Sequence, residues 1–99
     1  MEIESIIKIG EQYNNTDKNI IKNNIIKLIN ESEYNRDSKK LADNLGVSIQ
    51  TIYSYRKINE GNIPDFVTAL KLVNELNIKI YDLMEGSKWL KLIKAKWKN

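Results

Sequence analysis

The sequence has 99 residues, 41% of them hydrophobic and 29% charged, with a net charge of +3 and neither cysteine nor histidine. This length and composition indicate one small globular domain rather than a disordered chain. Without cysteine and histidine there are no disulfides, thiolate metal sites or histidine bases, so we expect neither an enzyme nor a bound metal or other cofactor.

The charge is distributed unevenly along the chain. All thirteen acidic residues precede Gly86, where they face eleven Lys and Arg, whereas residues 87–99 hold five lysines and no acid. No apolar run approaches the roughly 20 residues that cross a bilayer. The acidic start MEIESIIKIGE also differs from the cationic start of a secretory signal. We therefore expect a cytoplasmic protein with no membrane partner.

The first two helices are predicted from the spacing of apolar residues. A short N-terminal helix, within an extension formed by residues 1–15, carries Ile3, Ile6, Ile7 and Tyr13. The second helix covers about residues 17–33 and can be capped by Thr16 or Asp17. Its apolar face consists of Ile21, Ile25, Leu28 and Ile29, with asparagines and lysines on the opposite face.

Two shorter helices follow, separated by a glycine. Asp37 or Ser38 can cap the first, which contains Leu41, Ala42 and Leu45. This helix stops at Gly46, because glycine tolerates the left-handed conformation that is common after a helix end. Ser48 can cap the second, whose inward residues are Ile52 and Tyr55.

The remaining pattern is also helical. Pro64 suits the first turn of a fifth helix, whose inward stripe is Phe66, Leu70, Val73 and Leu76. A last core turn contains Ile80, Leu83 and Met84, and a basic amphipathic helix is predicted at 87–99. No strand pattern competes with these helices. The sequence therefore predicts an all-α fold, a compact five-helix domain over residues 16–86 with helical segments at 1–15 and 87–99.

The pair of short helices has the spacing of a helix-turn-helix. Two short helices that cross steeply need a small side chain at their closest approach and a tight turn that contains glycine. Ala42 and Gly46 supply these two features. In such a motif the second helix is held outward, where it can enter the major groove of DNA.

Residues 20–85 resemble the phage-repressor-like helix-turn-helix domains, the lambda-repressor-like or Xre group. The resemblance rests on LADNLGVSIQTIYSY, on the loop EGNIP and on the closing pattern ALKLVNELNIKIYDLM. One departure is Ser38, which stands where the family often has glutamine. The resemblance implies a repressor-like fold and a transcriptional regulator, such as a repressor from a phage or another mobile element.

The second helix of the motif is expected to meet the edges of base pairs. Gln50 can pair with adenine and Ile49 can pack on a thymine methyl group. The full set of predicted base contacts is Ile49, Gln50, Tyr53 and Ser54. Predicted phosphate contacts, which fix register without recognising sequence, are Ser38, Lys39, Thr51, Arg56 and Lys57. Four cations against one acid give residues 38–57 a net charge of +3.

Three questions about partners follow from these expectations. A module this small contacts few base pairs, so we expect a homodimer on two-fold symmetric double-stranded DNA, joined through residues 1–15 or 87–99. The 87–99 segment has Trp89, Ile93 and Trp97 on one side; it could dock on its own core, join subunits, bind another protein, contact phosphates or lie on a membrane. Docking or dimerisation is favoured, since two tryptophans are a large apolar surface. The alternative function is a protein-interaction module, such as an antitoxin or a phage- or plasmid-encoded inhibitor.

Overall fold

The structure is a computed structural model that describes residues 3–59 and 61–87. All regular secondary structure in these two ranges is helical, which confirms the predicted all-α class for this part of the chain. The predicted amphipathic segment lies outside the described residues beyond Ser87. In chain order the helices are α1 (Ile3–Asn14), α2 (Lys18–Asn30), α3 (Ser38–Leu45), α4 (Ile49–Tyr55), α5 (Phe66–Glu75) and α6 (Ile80–Leu83).

One hydrophobic core joins all six helices. The long helix α2 supplies Ile21, Ile25 and Ile29, each of them fully buried as predicted. The predicted inward residues of α3 and α4 are also buried, as is the last core turn around α6. Helix α2 ends at Asn30, three residues earlier than predicted, because a run of turns begins there.

Helix α1 buries only one of its four predicted apolar residues. Tyr13 is buried as predicted, together with Ile9 and Gly10, whereas the predicted residues Ile3, Ile6 and Ile7 are exposed. The reason is the contact with Phe66 of α5: a Cβ atom added at Gly10 would lie 3.0 Å from its ring. Tyr13 packs on the same ring with a centroid separation of 5.6 Å. Only the C-terminal half of α1 therefore reaches the core.

Pro64 precedes the fifth helix instead of occupying its first turn. The N-cap of α5 is Asp65, whose carboxylate accepts a hydrogen bond of 2.7 Å from the backbone N–H of Thr68. That bond, followed by one to the Thr68 side chain, holds the pKa of Asp65 below its ordinary value. The Pro64 carbonyl accepts a hydrogen bond from the Tyr13 hydroxyl and so ties this loop to α1.

The inward stripe of α5 is also shifted from the predicted one. Ala69, Leu72 and Val73 are its buried residues. Of the predicted stripe, Phe66, Leu70 and Leu76 are half-buried and pack against the edge of the core.

Candidate nucleic-acid interface

A three-residue turn joins α3 to α4 and sets the angle between them. Gly46 has φ +73°, and its N–H donates to the Asp43 carbonyl at 3.3 Å. The next N–H, of Val47, donates to the carbonyl of Ala42 at 3.0 Å. This pair of bonds is the Schellman arrangement that ends many helices. A Cβ atom added to Gly46 would meet no other atom within 4 Å, so the backbone conformation rather than lack of space requires glycine here.

Helix α4 is capped at its start and anchored along one side. The hydroxyl of Ser48 accepts a hydrogen bond from the N–H of Thr51 at 3.2 Å, which confirms the predicted cap. Ile52 is fully buried and Tyr55 is 6% exposed. Burial of the Tyr55 ring, and secondly the negative charge of Asp65, raise the pKa of its hydroxyl. Because one side is fixed in this way, the opposite side of α4 faces outward.

Three of the predicted DNA contacts form an exposed row on α4 and just beyond it. Gln50 and Lys57 are exposed, and Tyr53 is 51% exposed. Gln50 and Tyr53 are three residues apart, which places them on one face of α4, and Lys57 follows the end of the helix. Two other predicted DNA contacts, Ile49 and Thr51, are less exposed: both are half-buried, and Ile49 packs against the core. The hydroxyl of Thr51 lies 2.9 Å from that of Ser48.

Ser54 holds the α4–α5 loop against the end of α4, at what we call the Ser54 junction (Lys22, Ser54, Gly61 and Asn62). The Ser54 hydroxyl accepts a hydrogen bond of 2.8 Å from the N–H of Asn62. The ammonium of Lys22 donates to the carbonyls of Ser54 and, at 2.9 Å, of Asn62. Gly61 approaches so closely that an added Cβ would lie 2.3 Å from the Ser54 carbonyl oxygen. The hydroxyl predicted to contact bases thus has an intramolecular partner.

Arg56 clamps the far end of α4 to the start of α3. Its guanidinium donates to the Ser38 hydroxyl and to the Asn35 carbonyl, both at 2.9 Å. Further hydrogen bonds reach the side chains of Asn30 and Asn35. Two predicted phosphate contacts, Arg56 and Ser38, are therefore hydrogen-bonded to each other. Their direct contact with DNA stays a prediction.

Exposed cations stand at the start of α3 and after the end of α4. Lys39 and Lys40 are exposed in the first turn of α3, and Lys57 is exposed after α4. A phosphate backbone is attracted to such a group of lysines. Of the predicted phosphate contacts, Lys39 and Lys57 have the exposure that this role requires.

Lys22 is the residue that sequence reasoning missed. It was expected among the solvated lysines of α2, yet its side chain is 5% exposed. The burial of Lys22 could be predicted in part from the sequence, because Lys22 precedes Ile25 by three residues and Ile29 by seven and so lies on the same face of α2. Its carbonyl partners could not be found that way, since they lie 32 and 40 residues further along the chain.

Comparisons of the chain with protein families, with curated proteins and with solved structures give no match. Within residues 3–59 and 61–87, no helix is long and apolar enough to cross a membrane. The same ranges contain no group of three or more carboxylates placed to hold a metal ion. The function is therefore inferred from the geometry of α3 and α4.

Proposed function

We propose that this protein is a sequence-specific, double-stranded DNA-binding transcriptional regulator of the helix-turn-helix type, acting as a repressor. In this proposal α3 lies across the DNA backbone and α4 enters the major groove. The observation that carries it is that Gln50 and Tyr53 are exposed on a helix that is capped, anchored and turned outward, with the exposed Lys57 following its end. The net charge of +3 over residues 38–57 favours an anionic partner.

The row divides into side chains for bases and side chains for phosphates. Gln50 offers an amide that can pair with adenine through two hydrogen bonds, an interaction worth about 1–3 kcal/mol of discrimination. Tyr53 presents a ring and a hydroxyl to the groove. Lys39 and Lys57 bind phosphates and supply affinity that does not depend on sequence.

The size of α4 implies a symmetric complex. Seven residues span roughly 10 Å of helix, which is enough for only a few base pairs. Useful specificity then requires two copies on a two-fold symmetric site, with half-sites about 34 Å apart.

Selection from a pool of random duplexes tests the proposal as a whole. The expected result is enrichment of one palindromic motif. For that motif, Gln50→Ala should lower the preference over random DNA by about tenfold or more, while the matched control Gln12→Ala, an exposed glutamine on α1, should leave it unchanged. Lys39→Ala should weaken binding to all sequences and reduce the salt slope by about one, and Lys71→Ala, an exposed lysine on α5, should do neither.

If the protein retains no DNA duplex at low salt, the proposal of a DNA-binding regulator is refuted. The alternative is then the protein-interaction module, for which Tyr53 (51% exposed) and Ile58 (67% exposed) would supply the apolar contact. Equal binding of every sequence would keep α4 on DNA but remove the specificity.

A further inference from the structure

Helix α1 carries a solvent-exposed apolar stripe. The α1 stripe consists of Ile3, Ile6 and Ile7, which are 76%, 37% and 55% exposed. Their spacing places them on neighbouring positions of one helical face, on the half of α1 that extends past the contact with Phe66. Exposed apolar patches of this kind commonly mark a contact surface.

The rim of the α1 stripe is acidic. Glu4 and Glu11 are both exposed, and they lie three residues before and four residues after Ile7 on the same side of the helix. Helix α1 has one lysine against these two carboxylates. A partner for this face should therefore combine apolar side chains with positive charge.

The chain leaves the described structure beside the first turn of α2. Gly86 lies against Ile20 in the first turn of α2: a Cβ atom added to Gly86 would be 3.9 Å from the Ile20 side chain. The Asn24 amide fixes this segment through hydrogen bonds of 2.7 and 2.8 Å to the carbonyls of Leu83 and Glu85. Ser87 is 1% exposed. Only residues 15–17 separate the first turn of α2 from the end of α1.

We propose that residues 88–99 dock on the α1 stripe of the same chain. This segment combines Trp89, Ile93 and Trp97, at helical spacing, with five lysines and no acid, which is the chemistry that the stripe and its rim require. Twelve residues in helical form would span about 18 Å, the same as the twelve residues of α1. The segment is therefore long enough to cover the length of α1.

Continuity and charge distinguish the α1 stripe from the other exposed apolar side chains. Val67 is exposed on α5, but it is the single exposed large apolar side chain of that helix and forms no stripe. Tyr53 and Ile58 are also exposed, but they belong to or adjoin the segment 38–57 with its net charge of +3. Five lysines are repelled there and attracted by the rim of α1. Docking on α1 also leaves the exposed row of α4 uncovered. This inference does not depend on the proposed function, since it concerns surfaces that contact no DNA in that proposal.

Tryptophan fluorescence of the full chain tests the docking directly, because both tryptophans of the protein lie in the segment. The expected wild-type emission is blue-shifted, weakly quenched by iodide and independent of protein concentration. The double substitution Ile3→Asp and Ile7→Asp should shift the emission to the red and raise iodide quenching severalfold. The matched control Ile58→Asp, at a residue that is 67% exposed away from α1, should change neither property.

A second variant guards against loss of folding. Glu4→Lys with Glu11→Lys alters only exposed residues and should also increase tryptophan quenching, with the far-UV circular dichroism unchanged. Solvent-exposed tryptophans in the wild type, or a red shift in Ile58→Asp and not in the α1 variants, would overturn the proposal. Emission that depends on protein concentration would also overturn it, because the segment would then occupy a second copy.

Discussion

Replacing Lys22 by methionine removes the one buried cation among the described residues while keeping most of the side-chain volume. The ammonium donates two hydrogen bonds, to the carbonyls of Ser54 and Asn62. A bond to a charged group contributes about 1.5–3 kcal/mol. The variant loses both bonds, but it also no longer has to desolvate a charge, which reduces the net cost.

Two features of the Ser54 junction limit the loss further. The Ser54 carbonyl keeps a long contact of 3.4 Å with the N–H of Lys57. Asn62 and Lys22 both line an open cavity of about 240 Å³, so that water can enter and replace the ammonium. We therefore expect Lys22→Met to lower the free energy of unfolding by about 2 kcal/mol, or roughly 30-fold in the folding equilibrium.

Urea unfolding followed by far-UV circular dichroism measures this change, with an expected drop of roughly 1–2 M in the midpoint. The matched control is Lys27→Met, since Lys27 lies on the same helix and is exposed; its effect should stay within about 0.5 kcal/mol. Equal midpoints for the two variants would refute the view that the ammonium stabilises the junction.

Substitutions at Gly46 and Arg56 test the remaining supports of α4. Gly46→Ala should lower the free energy of unfolding by about 1–2 kcal/mol, because φ is +73° while the space around the added Cβ is open. Gly46→Asn should lower it less, because asparagine adopts a positive φ elsewhere in this fold, at Asn77 after α5 with φ +55°. Equal thermal midpoints for the wild type and Gly46→Ala would contradict this. Arg56→Ala should lower the free energy of unfolding by about 1–3 kcal/mol, because the hydrogen bonds to Ser38 and Asn35 are lost, and it should not change the salt slope of DNA binding. Lys57→Ala should instead reduce that slope by about one. The reverse pattern would make Arg56 the phosphate contact.

The elements predicted correctly were those with local signals. Asp37 and Ser48 each cap a helix through a hydrogen bond to an N–H three residues away, and Gly46 ends α3 through its own backbone angle. Such features depend on a few neighbouring residues, so they are visible in a short stretch of sequence. The buried faces of α2, α3 and α4 were visible for the same reason, because each repeats with the helical period.

The features missed depend on residues far apart in the chain. The prediction for α1 was right at Tyr13 but wrong at Ile3, Ile6 and Ile7, because the sequence shows their helical spacing but not the position of Phe66, which decides how far along α1 the core extends. Nor does periodicity distinguish a proline in the first turn of a helix from one just before its cap. For Pro64 the difference lies in Asp65, which caps α5.

Helix α4 is too short to owe its position to burial alone. Its seven residues include two buried ones, and isolated helices of this length are not stable in water. Its orientation is set at the start by the turn at Gly46 and at the end by the Ser54 junction and Arg56. In the proposed complex, Ser54 and Arg56 therefore affect recognition by fixing where Gln50 lies. Loss of binding on substituting either residue would not by itself identify a DNA contact, which is why stability and salt dependence have to be measured on the same variant.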